Sequence, residues 1–226
     1  MTTPVLLDIT DGVAKITLNR PEKDNALDQP MADALLATAL HCSNDPKVRC
    51  VVLTGAGKMF CVGGDISELA SNGDAITPFL TRLAGTLHQA LSQFAAMNKP
   101  MITLVNGTTA GAGLRVAISG DIVLADPQAK FTTAYLGIGV TPDGGMTWLL
   151  PRLMGMRAAL AAQLSAGAVS AIEQARKLLH ESFSSGFASQ MGRELSSITA
   201  AGNGPEGREG INAFLAKRKP NFQGSA

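Results

Sequence analysis

An α/β core followed by a helical C-terminal region is the fold class that this sequence predicts. Two patterns carry the prediction. Over the first two-thirds of the chain, short apolar runs bounded by glycines and polar residues alternate with stretches of helical apolar spacing. From Thr147 onward helical spacing continues nearly to the end, broken at 202–205 where Gly202, Gly204 and Pro205 fall. The expected division is a core over residues 1–155 and a helical region over 156–226.

Each element has a local reason. Residues 5–9 and 13–19 read as strands joined at Asp11-Gly12, a hairpin signal. In the second strand Ala14, Ile16 and Leu18 alternate with Lys15 and Thr17, so one face is buried. Residues 19–27 are turn-rich. Asp28 then stands where it can cap a helix running through Met31, Leu35 and Ala39. Residues 50–54 are a continuous apolar run, as in a strand buried on both faces. A glycine-rich loop over 55–65 precedes a helix with Leu80, Leu83, Leu87, Leu91 and Phe94 at helical spacing. Residues 101–105 read as another buried strand, and Asn106-Gly107 turns it into a small-residue helix starting near Gly111. Residues 121–124 are a further strand, and 137–145 a second glycine-rich loop.

Composition narrows the function. Of 226 residues, 46% are apolar and 16% charged, an ordinary globular balance that can bury a core without staples. Aromatics are 4% and glycines number 24, so the core is built from small aliphatics, with glycine where backbone must approach closely. The net charge is +1 and Lys217-Arg218-Lys219 reads as a solvated helix end, so no nucleic-acid surface is indicated. Cys42, Cys50 and Cys61 are odd in number, lack metal-ligand spacing and fit a reducing compartment. The opening Met-Thr-Thr-Pro-Val does not read as a signal peptide, and no apolar run reaches membrane-spanning length. The cytoplasm is the expected location.

Several chemistries drop out. Gly55-Ala56-Gly57-Lys58 is followed by Met59 rather than Ser or Thr, so it is not a phosphate loop. The glycines of 107–113 do not match dinucleotide spacing. No Gly-x-Ser-x-Gly elbow supports a serine nucleophile. His41, His88 and His180 lie in helical stretches and read as surface or packing residues. What remains is two separated loops, after the strands 50–54 and 101–105, each ending a buried strand and entering a helix. Backbone N–H groups at such places lack partners, and two of them converging on one oxygen make an oxyanion hole.

Five ordered motifs carry a resemblance. They are Asn19-Arg20-Pro21-Glu22-Lys23-x-Asn25-Ala26-Leu27, Phe60-Cys61-Val62-Gly63-Gly64-Asp65-Ile66, Asn106-Gly107-x-x-Ala110-Gly111-Ala112-Gly113, Pro142-Asp143-Gly144-Gly145, and an ending with Glu206-Gly207, Ala213-Phe214 and Lys217-Arg218-x-Pro220-x-Phe222. Together they resemble the crotonase superfamily of enoyl-CoA hydratases and isomerases. The resemblance implies a spiral of ββα units and assembly as a homotrimer or a dimer of trimers. It implies no metal or redox cofactor, CoA arriving as part of the substrate. RNA binding, known for some members, has no support in the charge pattern.

Carried over residue by residue, the resemblance makes the N–H groups of Gly64 and Ala112 the donors to a thioester oxygen. It lays the CoA nucleotide along Asn25-Ala26-Leu27, with Lys23 beside it, and along the segment holding Gly63, Asp65, Ile66 and Ser67. Asp65 also reads as the cap of the following helix, which is the preferred role.

The sequence departs from the hydratase pattern at two places. Hydratases use two glutamates, and the corresponding positions are Arg115 and Tyr135. Arg115 is expected in the first turn of its helix, where a cation is disfavoured and needs a carboxylate partner or a reach to solvent. The remaining acid in a suitable loop is Asp143, which alone would read as an Asp-Gly turn. The resemblance to enoyl-CoA isomerases, including ring-1,2-epoxyphenylacetyl-CoA isomerases, makes it the proton carrier. One carboxylate suffices for that task. Alternatives are a hydratase or hydrolase using water held by Asp143 and Tyr135, or a catalytically silent acyl-CoA-binding paralogue. After Ala166 the chain also lacks about two helices' worth of the family's usual length.

Overall fold

The computed structural model describes residues 3–164 and 168–222. The expected shortening after Ala166 falls outside the described residues. The chain forms two compact units. One takes in the chain through Gly64 together with Thr86–Thr132; the other takes in Asp65–Gly85 and the chain from Thr133 onward. The segment 65–85 goes with the C-terminal helices because its apolar residues Leu69, Ile76 and Leu80 cluster with Ile211.

In the first unit, β1 (Val5–Thr10) and β2 (Val13–Leu18) form the expected antiparallel hairpin. Asp11 and Gly12 both take positive φ, 51° and 84°, the backbone that lets a two-residue turn follow the strand twist. Ala14, Ile16 and Leu18 are fully buried. Helix α1 (Gln29–Asn44) begins where expected, with an Asp28 carboxylate oxygen accepting from the Met31 N–H at 2.8 Å. Then come β3 (Cys50–Gly55), and, after the second unit's α2 (Ile66–Ser71), α3 (Ile76–Ala96), whose half from Thr86 belongs to the first unit. β4 (Met101–Val105), β5 (Thr109–Ala110), α4 (Ala112–Ala117), β6 (Ile122–Ala125) and β7 (Phe131–Thr132) complete the unit.

The main sheet has the order β1-β2-β3-β4-β6, parallel from β2 onward, while β5 and β7 form a separate parallel pair. Burial on both faces, expected for β3 and β4, is not what forms. Val51, Leu53, Met101 and Val105 are buried, but Leu104 is exposed, as are Ile122 and Leu124 on β6. The reason is that α1 and the Thr86–Ala96 half of α3 contribute to one and the same core, so one face of the sheet is filled. Continuous apolar runs therefore marked strands correctly without marking two covered faces.

The second unit is helical. It holds α2, the start of α3, a 3-10 turn at Tyr135–Ile138, and α5 (Met146–Met154), α6 (Met156–Leu164), α7 (Val169–Glu181), α8 (Phe187–Asn203) and α9 (Pro205–Leu215). The α8–α9 break falls at Gly204, as the sequence led one to expect. Among the described residues no helix is long and apolar enough to cross a membrane.

Candidate active site

Asn25 organises the first of the site loops. It is fully buried at φ 56°, a backbone that asparagine tolerates better than most residues. Its Oδ1 accepts from the Arg20 N–H at 2.9 Å. Its Nδ2 donates to the carbonyls of Ala56, Met59 and Phe60 at 2.8, 2.9 and 3.1 Å. The Arg20 guanidinium reaches the Ala26 carbonyl at 2.6 Å and the Asp28 carboxylate at 3.1 Å. Asn25 therefore positions the loop with its side chain, while the neighbouring Leu27 is buried in the core of the first unit. Lys23 is exposed at the end of a 3-10 turn.

The turn at Leu27 is tied to the second loop, where its N–H donates to the Gly63 carbonyl at 2.7 Å. That loop, residues 60–66, runs parallel to a third, residues 106–113. Cys61 bridges Thr109, and the Ala110 N–H donates to the Cys61 carbonyl at 3.1 Å. Gly64 and Ala112 each stand three residues beyond this bridge in sequence. The approach is tight. A Cβ at Gly63 would fall 2.8 Å from the Ala110 oxygen and 3.4 Å from the Ala112 nitrogen, and one at Gly113 would fall 2.2 Å from the Cys61 oxygen. Gly111 takes φ 52° and ψ −127°, a region closed to residues with a Cβ. As the first residue of α4, Ala112 has an N–H with no acceptor in its own helix. The bridge to Leu27 uses the carbonyl of Gly63 and not the N–H of Gly64. These are the two N–H groups that the family resemblance assigns to a thioester oxygen. The Cys61 thiol beside them is no nucleophile, since burial pushes it up to about 12.

Arg115 departs from expectation. Helix α4 is only six residues long, so Arg115 lies in its last turn, where a cation is favoured. It does not reach solvent, being 3% exposed, and it donates to the Ser119 hydroxyl at 2.8 Å.

In the second unit, Asp65 caps α2 as preferred. Its carboxylate accepts from the Ser67 N–H at 3.1 Å and also from the Ser67 hydroxyl. Ile66 packs against the Leu69–Ile76 cluster. Tyr135 and Asp143 are brought together: the phenol donates to Asp143 Oδ1 at 2.8 Å, with the two residues 4% and 3% exposed. Burial, then the charge and hydrogen bond of Asp143, then the charge of Glu194, push the phenol well above the ordinary tyrosine range. It stays protonated and remains a donor.

Sequence reasoning missed Glu194, a fully buried carboxylate on α8. It accepts from the N–H of Gly145 at 2.5 Å, the N–H of Thr147 at 2.9 Å and the Thr147 hydroxyl. Gln190 donates to the same hydroxyl at 2.7 Å and to the Leu178 carbonyl at 2.8 Å. A signal existed. Met191, Glu194 and Ile198 share one helical stripe, so a carboxylate sits among residues of a buried face. A cavity of about 900 Å³ lies among α7, α8 and the start of α9, and none of the sequence-predicted site residues lines it.

Known proteins bear on this arrangement. The sequence pattern of the enoyl-CoA hydratase/isomerase family matches residues 8–177. A 1,2-epoxyphenylacetyl-CoA isomerase of Escherichia coli K12 is 33% identical over 258 aligned residues, covering 97% of this chain and 98% of the relative. A probable enoyl-CoA hydratase of Rhodobacter capsulatus is 33% identical over 253, covering 96% of each. The crystal structure of an enoyl-CoA hydratase from Mycobacterium avium subsp. paratuberculosis superposes with a TM-score of 0.72 at 26% identity, covering 97% of this chain and 98% of the other. The fold, its glycine-bound loops and these matches together establish that the chain is a crotonase-fold member of the enoyl-CoA hydratase/isomerase family, acting on acyl-CoA thioesters.

Proposed function

We propose that the chain is an enoyl-CoA isomerase. The N–H groups of Gly64 and Ala112 hold the thioester oxygen, and Asp143 carries one proton from one carbon of the acyl chain to another. In the first half of the reaction the Asp143 carboxylate takes a proton and the electron pair moves into the thioester, giving an enolate. In the second half the acid returns the proton at a different carbon. The carboxylate is regenerated and no atom is gained or lost. The contacts proposed for CoA remain those along Asn25-Ala26-Leu27 and around Gly63 and Ile66. Assembly as a trimer or dimer of trimers belongs to the same proposal.

The observation that carries this reading is the buried Tyr135–Asp143 pair. A phenol held protonated and donating to one oxygen fixes the orientation of the carboxylate while adding no second base. Hydration by two glutamates lacks both of them, since those positions hold Arg115 and Tyr135. The name of the Escherichia coli relative points to the same reaction class.

The test is Asp143→Asn, assayed with a 3-enoyl-CoA in deuterated water. Isomerisation and deuterium uptake are expected to fall by about 10²–10⁴-fold, the usual contribution of a positioned general base, with acyl-CoA affinity retained. Native rates in the variant would refute the assignment. A native chain that binds acyl-CoA without turning over any enoyl isomer would identify a silent paralogue.

A further inference from the structure

We propose that Glu194 is a positioning residue for the proton-carrying loop: its carboxylate, buried at the first turn of α5, holds Gly145 and Thr147 and thereby fixes where Asp143 stands. The proposal rests on the role given to Asp143 above.

The geometry is specific. Gly145 is the N-cap of α5 and Thr147 its second residue, and both N–H groups point at Glu194, at 2.5 and 2.9 Å. A helix start exposes N–H groups that need an acceptor and favours a negative charge. Here the acceptor comes from another helix, 49 residues away in sequence. Asp143 precedes this anchor by two residues, and the Met146 N–H closes back on the Asp143 carbonyl at 3.1 Å. Gln190 fixes the Thr147 hydroxyl from the same face of α8. The loop holding Asp143 is thus pinned at one end by Glu194, while the side chain is pinned by Tyr135. A cap of structural use alone would suit an aspartate or serine within the loop; a buried glutamate on a separate helix instead couples the loop to α8.

Glu194 also acts on Tyr135 through its charge. The charged groups acting on the Tyr135 hydroxyl are Asp143 and Glu194, and both hold the phenol protonated. Helix α7 meets its turn through the apolar side chains of Ala171 and Ala175 against Leu136, while α6 and α9 meet it through backbone. The Thr133 hydroxyl donates to the Ala162 carbonyl of α6, and α9 approaches through Glu206, Gly207 and Gly210.

This gives a readout separate from turnover. Tyr135 is the single tyrosine of the chain, so tyrosinate absorbance reports on it alone. Glu194→Gln keeps the shape and removes the charge. Without substrate, Tyr135 in this variant should ionise at lower pH than in the native chain. The kcat for a 3-enoyl-CoA should fall on the order of tenfold to a hundredfold, as a displaced catalytic group does, with KM nearly unchanged. Either quantity at its native value overturns the proposal. Thr147→Val keeps the charge and removes one donor. It should lower kcat while leaving the tyrosine titration in place, and native kcat there would also overturn the proposal, including where Glu194→Gln does not fold. If Asp143→Asn proves fully active, the proton-carrying role of Asp143 fails. The tyrosine titration of Glu194→Gln would then still show whether Glu194 acts on this loop, so the two failures are distinct.

Discussion

Replacing Asn25 by aspartate changes one NH₂ to an oxygen and almost nothing else, yet it should be among the costliest single-atom changes in the molecule. The Asn25 Nδ2 stands 2.8, 2.9 and 3.1 Å from three carbonyl oxygens in a site with no exposure. A carboxylate there would meet three repulsions in place of three attractions, so the introduced group stays protonated instead. Keeping an aspartate-type carboxyl neutral at pH 7, against an ordinary pKa of about 3.9, costs about 4 kcal/mol. The protonated acid restores one donor of two, and the lost hydrogen bond adds about 1 kcal/mol. The sum, about 5 kcal/mol, is a large part of the 5–15 kcal/mol that separates a typical domain from unfolding. Its sign with pH is fixed. The folded-state pKa is raised above the unfolded one, so the variant's stability is retained at low pH and lost as pH rises. The gap to the native chain should shrink by about 1.4 kcal/mol per unit between pH 7 and about 4. Urea denaturation of both proteins across that range measures it. A gap that does not change with pH, or one below about 1 kcal/mol at pH 7, would show that Asn25 is not the clamp described.

Gly113→Ala should cost about 1–3 kcal/mol by thermal melting, since its Cβ would fall 2.2 Å from the Cys61 oxygen. It should also lower turnover by moving the neighbouring Ala112 N–H. Cys61, pushed up to about 12, should resist thiol reagents at pH 8 in the folded chain while the half-buried Cys50 reacts; equal labelling of both would contradict its burial. The stability that Cys61 contributes as a neutral thiol is present below its ordinary 9.0 and lost as pH rises toward about 12. The Arg218 guanidinium, and then the Asn221 N–H, hold the Glu209 carboxyl down at about 2. What that pair contributes is present above about 4.5 and lost as pH falls toward 2, so Glu209→Gln should flatten the acid limb of the stability curve.

Much of the fold was legible because it is decided within a few residues. The hairpin at Asp11-Gly12 follows from a two-residue turn that needs positive φ at both positions. The start of α1 follows from Asp28 accepting the N–H three residues on. The alternation of Ala14, Ile16 and Leu18 named the buried face of β2. The glycines of the third loop announced close backbone contact, and the short gaps to Cys61 supply its cause. Tertiary structure alone decided the rest. Whether β4 and β6 are covered on both faces depends on where the helices lie, which no apolar run records. Arg115 changed from a disfavoured to a favoured place because α4 stops at Ala117. The carbonyls that accept from the Asn25 amide lie 31 to 35 residues away, and Glu194 binds a loop 49 residues before it. The pairing of Tyr135 with Asp143 likewise depends on how one loop folds back on another. Local turn and helix chemistry is short-ranged and survives in sequence; the partner of a buried polar group is chosen by whichever distant segment brings the matching donor or acceptor, and only the folded chain determines that.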